Sequence, residues 1–109
     1  MNLSKPLLFA ATYSQPGREQ ELFDCYDKEH IADMLKVPGI NSITRYTVQT
    51  VKFPEGIARP ATCLLHELEA ADPETVIEQV KQQASVGNIR HSNALDGSKS
   101  IVFILKPTD

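Results

Sequence analysis

The sequence predicts an α+β fold of element order β-α-β-β-α-β. This is the split βαβ or ferredoxin-like arrangement, a four-stranded antiparallel sheet with both helices on one face. Three observations predict it. Pro and Gly cut the 109 residues into six periodic segments. Four segments are rich in apolar and β-branched residues, and two carry helical spacing. The connections have the lengths such an order needs. A chain this short is expected to form one domain, 1–109.

Residues 5–13, through Leu7, Leu8 and Phe9, are expected as the first strand, and Ser14 to Gly17 as a turn. Residues 18–36 are expected as a helix closed by Pro38-Gly39, because the residue before a proline avoids helical geometry. Residues 40–52, dense in Ile, Thr, Val and Tyr, are expected as a second strand, bulged because it is long. Phe53 to Pro60 connect it to a third strand at 61–69. Asp72-Pro73-Glu74 is a helix start, with a capping acid and then Pro at the first helical position. That helix runs to about Ser85 and stops near Gly87. A polar connection follows at 88–98, and residues 99–106 form the last strand.

Composition narrows the function classes. Hydrophobic residues make up 41% and charged residues 23%, a globular balance. The net charge of −3 has no basic patch, which argues against nucleic acid. The longest apolar stretches, Leu7 to Ala11 and Ile101 to Leu105, are far too short to span a membrane. The N-terminus lacks signal-peptide order, and Cys25 and Cys63 match no zinc or redox spacing. A cytoplasmic location with reduced thiols is expected.

Those two apolar stretches do not alternate, so both faces of their strands are apolar. Two helices cover only one face. The other is expected to meet a second copy of the chain in a closed homodimer. The alternative is that small Ala10 and Ala11 leave little to cover.

On a helical wheel, Phe23, Tyr26, His30 and Met34 form one stripe, with Asp27 at its edge and Ile31 and Leu35 widening the apolar face. Asp27 lies three residues before His30, within reach of it. A carboxylate that orients an imidazole in an apolar pocket makes a group able to move protons near neutral pH. The plainer reading is a structural histidine among core residues, with Asp27 solvated at the edge.

The segment from Tyr26 through His30 to Pro38-Gly39 resembles the first-helix signature of the EthD-like proteins of the dimeric α+β barrel superfamily. Tyr26, His30, Leu35 and Pro38-Gly39 fall on the pattern, as does the Arg45-Tyr46 pair on the next strand. The match covers about residues 22–48. Two departures stand out: Ala32 where relatives often have Pro, and Tyr26 where they often carry Trp. The resemblance implies a dimer with a cavity between sheet and helices, faced by the first-helix His. It also implies activities of the cyclase, isomerase, dehydratase or cofactor-free monooxygenase kind on aromatic or polyketide-like compounds.

In the enzyme reading His30 is the acid–base and Asp27 its orienter. Phe23, Tyr26 and Met34 wall a flat hydrophobic substrate, and no cofactor is required. In the alternative, the same cavity carries or protects a small hydrophobic metabolite without chemistry. A haem-handling or oxygen-using role lacks Trp and a clear ligand set. His66 lines the pocket if its strand face meets the helices, and is an interface residue if it meets the partner. His91, on the polar connection, is either a binding group over the open end or a solvated loop residue. Arg45 and Tyr46 point to opposite faces, one toward the cavity and one toward the interface. Tyr13 gates one end of the cavity or is ordinary rim. Cys25 lies off the stripe, which disfavours a cysteine nucleophile. The three histidines have no ligand spacing, so no metal is expected. No nucleophile elbow or phosphate loop is present.

Overall fold

The computed structural model of the chain describes residues 4–69 and 72–108. Strand β1 is Leu7–Thr12. Helix α1 is continuous through Glu19–Cys25, a π-helical turn at Tyr26–His30, and Ile31–Met34. Strands β2 and β3 are Ile40–Tyr46 and Thr62–Leu68, helix α2 is Pro73–Ser85 and strand β4 is Ile101–Leu105. The sheet order is β2-β3-β1-β4 with every neighbour antiparallel. This is the expected ferredoxin-like βαββαβ fold.

Both helices pack on one sheet face. Met34 and Val37 from the α1 end and Val76 from α2 bury against Leu8, Ile40 and Leu68. Leu22 and Tyr26 of α1 pack with Leu64 and with Ala94 of the 88–98 connection. Pro38-Gly39 sets the turn between α1 and β2. Gly39 has φ +95°, and a Cβ there would stand 2.6 Å from the Val76 Cγ2. Glycine thus serves both the left-handed backbone and the close approach of α2.

Strand β2 is shorter than its β-forming composition suggests. Its ladder to β3 ends at the Tyr46–Cys63 pair, and a bulge lies between Ile40 and Ser42. Beyond that pair Pro60, which has no N–H to donate, lies close before β3, and residues 47–52 are irregular. Helix α1 also ends earlier than expected, so Leu35 is exposed rather than part of the apolar face.

The 88–98 connection is fastened across the end of β1. Gln15 N–H donates to the Ala94 carbonyl at 2.6 Å and Asp96 N–H to the Tyr13 carbonyl at 2.7 Å. The outer face of β1 and β4 is apolar, as the strand pattern requires, while β2 and β3 add Ser42, Thr44 and Glu67 beside it. Phe9 and Phe103 stack there with ring centroids 4.7 Å apart. Ile101, Phe103 and Leu105 each remain 44–47% exposed. No helix of the described residues is long and apolar enough to cross a membrane.

Candidate active site

A cavity of about 200 Å³ lies between the sheet and the helices. It is walled by Leu8, Ala10, Met34, Leu64, Val80 and Val102, and its polar lining includes Thr12, Tyr26, His30, His66 and His91. The three histidines come from α1, β3 and the 88–98 connection, and the fold brings them together. Val102 is among the exposed apolar residues, so the cavity opens beside β4.

His30 is buried on α1. Its Nδ1 lies 2.7 Å from the Arg90 carbonyl oxygen. A carbonyl only accepts, so Nδ1 carries the proton and Nε2 of the neutral ring keeps a lone pair. Nε2 has no hydrogen bond among the described residues and is not sealed from the cavity. Burial holds the His30 pKa below the ordinary imidazole value; the Arg90 carbonyl opposes this, while His91 and His66 add to it. His66 repeats the arrangement on β3. Its Nδ1 donates to the Leu8 carbonyl at 2.9 Å, and burial lowers its pKa against that bond.

His91 stands at the mouth. Its ring centroid is 4.8 Å from that of His30. It lines both this cavity and an outer polar cleft that includes Cys25 and Glu29. Tyr26 meets His30 edge-on at 5.3 Å, and burial raises its phenol pKa. Thr12 is 6% exposed, and its buried Oγ1 lies against the Tyr26 hydroxyl, opposing the effect of burial there, with no well-aligned hydrogen bond among the described residues.

Asp27 does not orient His30. Both of its oxygens are taken by Arg45, at 2.8 Å from Nε and 2.7 Å from the second terminal nitrogen. That bidentate pair outcompetes a single contact to an imidazole, and it holds the Asp27 carboxyl below its usual range. Phe23 also lies outside the cavity. It lies under the Arg45 guanidinium, 4.8 Å from the ring centroid, and lines a separate cleft of about 460 Å³ with Tyr13 and Arg59. The π turn explains the split: its wider turn inserts residues relative to a regular helix, so positions before and after it no longer share one stripe. Tyr46 is on the outer sheet face, opposite Arg45. Tyr13 donates its hydroxyl to the Ala58 carbonyl and so belongs to the 47–61 connection, not to a gate. Burial, then Glu29, pushes the Cys25 thiol up and keeps it protonated.

Asp33, which the wheel did not single out, acts on His30 only through Arg90, the residue whose carbonyl meets Nδ1. It accepts from the Arg90 main-chain N–H and Nε at 2.9 Å each through one oxygen, and from the guanidinium through the other. Arg90 also pairs with Glu29. Asp33 is 5% exposed, and Arg90 holds its carboxyl far below the usual carboxylate range. One residue, Arg90, thereby docks the connection on α1 and presents its carbonyl to His30. Its distance in sequence from Asp33 leaves no local spacing to detect, and Thr12 has no signal beyond its strand. Among the described residues, no group of three His, Cys, Asp or Glu is placed to hold a metal ion.

The chain matches solved structures over nearly its whole length. An ethyl tert-butyl ether d (EthD) family protein from Bacillus halodurans is 18% identical with a TM-score of 0.57, covering 95% of this chain and 99% of its own. A NIPSNAP family protein from Agrobacterium tumefaciens is 19% identical with a TM-score of 0.57, covering 95% and 94%. A dimeric ferredoxin-like protein of unknown function from Jannaschia is 12% identical with a TM-score of 0.56, covering 94% and 98%. At these identities the likeness is one of fold, an EthD-like ferredoxin-like fold. No family model and no curated protein matches the chain.

Proposed function

We propose that this chain is a small acid–base enzyme that needs no cofactor and acts on a single-ring aromatic or compact polyketide-like metabolite. The reaction class is that of a cyclase, isomerase or dehydratase. One observation carries the reading: His30 is tied through Nδ1 to the Arg90 carbonyl and turns a basic Nε2 toward an apolar cavity. Burial keeps that ring neutral at pH 7, the state a general base requires.

His30 takes a proton from a carbon beside a carbonyl, or from a phenol, and returns it at another atom. Tyr26 and Met34 flank the reacting face and exclude water. His91, at the mouth, connects His30 with solvent and resets its proton. The exposed outer sheet face seats a second copy of the chain, a reading supported by the fold neighbour described as dimeric. A cytoplasmic setting suits the free thiols of Cys25 and Cys63.

The test is solvent exchange. The protein is incubated in D₂O with a panel of β-dicarbonyl compounds and single-ring phenols, and deuterium uptake at carbon is followed by NMR. Uptake above background that falls about 10²-fold or more in His30→Ala, with the fold retained, is the expected result. Saturable binding with no uptake for any compound would replace the enzyme by a carrier of the same ligands. Uptake unchanged in His30→Ala would remove His30 as the base.

A further inference from the structure

We infer that the cavity selects a neutral single ring bearing two hydrogen-bond donors, with the donors received by Nε2 of His30 and Nε2 of His66. The inference rests on the cavity being the functional site, and adds the chemistry of what it holds.

The polarity of the cavity follows from its main-chain bonds. Each of the two buried histidines gives its Nδ1–H to a backbone carbonyl, of Arg90 at 2.7 Å and of Leu8 at 2.9 Å. Those bonds fix the tautomer, because the only ring proton of a neutral imidazole is already committed. Each ring therefore offers the cavity an acceptor and no donor. A ligand carbonyl or ether in the same place would meet two lone pairs and be repelled. A ligand O–H or N–H is bound by each.

Charge gives the same answer. Among the described residues, no Lys or Arg lines the cavity. The two nearby guanidiniums are committed elsewhere, Arg45 to Asp27 and Arg90 to Asp33 and Glu29. A carboxylate ligand would be buried without a counter-ion, which is strongly unfavourable. Burial also keeps both imidazoles uncharged near neutral pH. Size sets the rest. About 200 Å³ is slightly more than the roughly 150 Å³ apolar cavity that accepts benzene, so one substituted ring fits. The hydroxyls of Thr12 and Tyr26, side by side in the same wall, are further polar contacts for the ring.

The experiment uses the intact protein and five probes: benzene-1,3-diol, phenol, 1,3-dimethoxybenzene, benzoate and toluene. Affinities are read by calorimetry, and the imidazole ¹⁵N signals by long-range NMR. The diol is expected to bind at least tenfold tighter than its dimethyl ether, and benzoate weakest. The diol is also expected to shift the Nε2 signals of both His30 and His66. His66→Phe is expected to erase the advantage of the diol over phenol. If that variant misfolds, the wild-type Nε2 shifts decide alone.

Equal or tighter binding of the ether, toluene or benzoate overturns the assignment. So does diol binding that leaves either Nε2 signal unmoved, or no binding of any probe. The outcome is independent of turnover. Diol preference without deuterium uptake removes the acid–base reading only, and uptake without diol preference removes this assignment only.

Discussion

Nδ1 of His30 lies 2.7 Å from the main-chain oxygen of Arg90, and the side chain of the same Arg90 is clamped by Asp33. The histidine's tautomer thus depends on a loop, and the loop depends on an ion pair three residues further along the histidine's own helix. Breaking the pair should release the ring without touching it. Asp33→Asn is expected to turn the single His30 Nδ1–H form into a tautomer mixture in ¹⁵N spectra, and to lower deuterium uptake by up to about 10²-fold through misplacement of the base. Asp27→Asn is expected to change neither, since Asp27 serves Arg45. Matching spectra for Asp33→Asn and wild type would disconnect the loop from the histidine.

Acid should weaken the fold in a definite window. Burial depresses the folded-state pKa of both His30 and His66. The unfolded chain then binds more protons than the folded one below the ordinary imidazole pKa of about 6.5. The associated stability is complete above that value and declines as pH falls through it toward the folded-state pKa. Urea midpoints are therefore expected to drop between pH 7.5 and 5, and the drop should shrink in His66→Gln. The Asp33 carboxylate contributes in a separate window, below about pH 4, where its unfolded form takes up a proton. A midpoint flat between pH 7.5 and 5 would contradict the burial of the two rings.

Gly39→Ala should be costly although it adds one methyl group. The new Cβ would sit 2.6 Å from Val76 Cγ2, on a residue already at φ +95°. Overpacking and backbone strain together suggest a loss of about 2–4 kcal/mol. Trimming the neighbour in Gly39→Ala/Val76→Ala should recover only the packing part, less the cavity the truncation leaves. A loss under about 0.5 kcal/mol in chemical denaturation would mean that α2 gives way freely at this contact.

The stacked pair Phe9 and Phe103 forms the apolar centre of the outer sheet face. If a second copy covers it, light scattering should give twice the chain mass. Phe103→Lys should give a folded single chain, because a buried unpaired ammonium outweighs the apolar contact it replaces. A wild-type chain that is monomeric at micromolar concentration would remove the dimer.

Much of this molecule is a matter of local chemistry. Pro38-Gly39 ends α1, Asp72-Pro73 starts α2, and the runs Leu7 to Ala11 and Ile101 to Leu105 are unalternating strands whose outer face is apolar. Helical spacing also put Tyr26, His30 and Met34 on one wall. Each of these depends on residues within a turn or two of one another, so periodicity and backbone preference determine them. What only the tertiary structure decided involves residues far apart in the chain. Which carboxylate serves His30 depended on Arg45 arriving from β2 to take Asp27, and on Arg90 arriving from the far connection to dock on Asp33. Whether His66 and His91 share a cavity with His30 depended on which sheet face the helices cover. The π turn moved Phe23 off the shared stripe, against the regular helical period. A sequence determines the periods of its own segments; the partner of a buried polar group is chosen by competition among groups that meet only when the chain has folded.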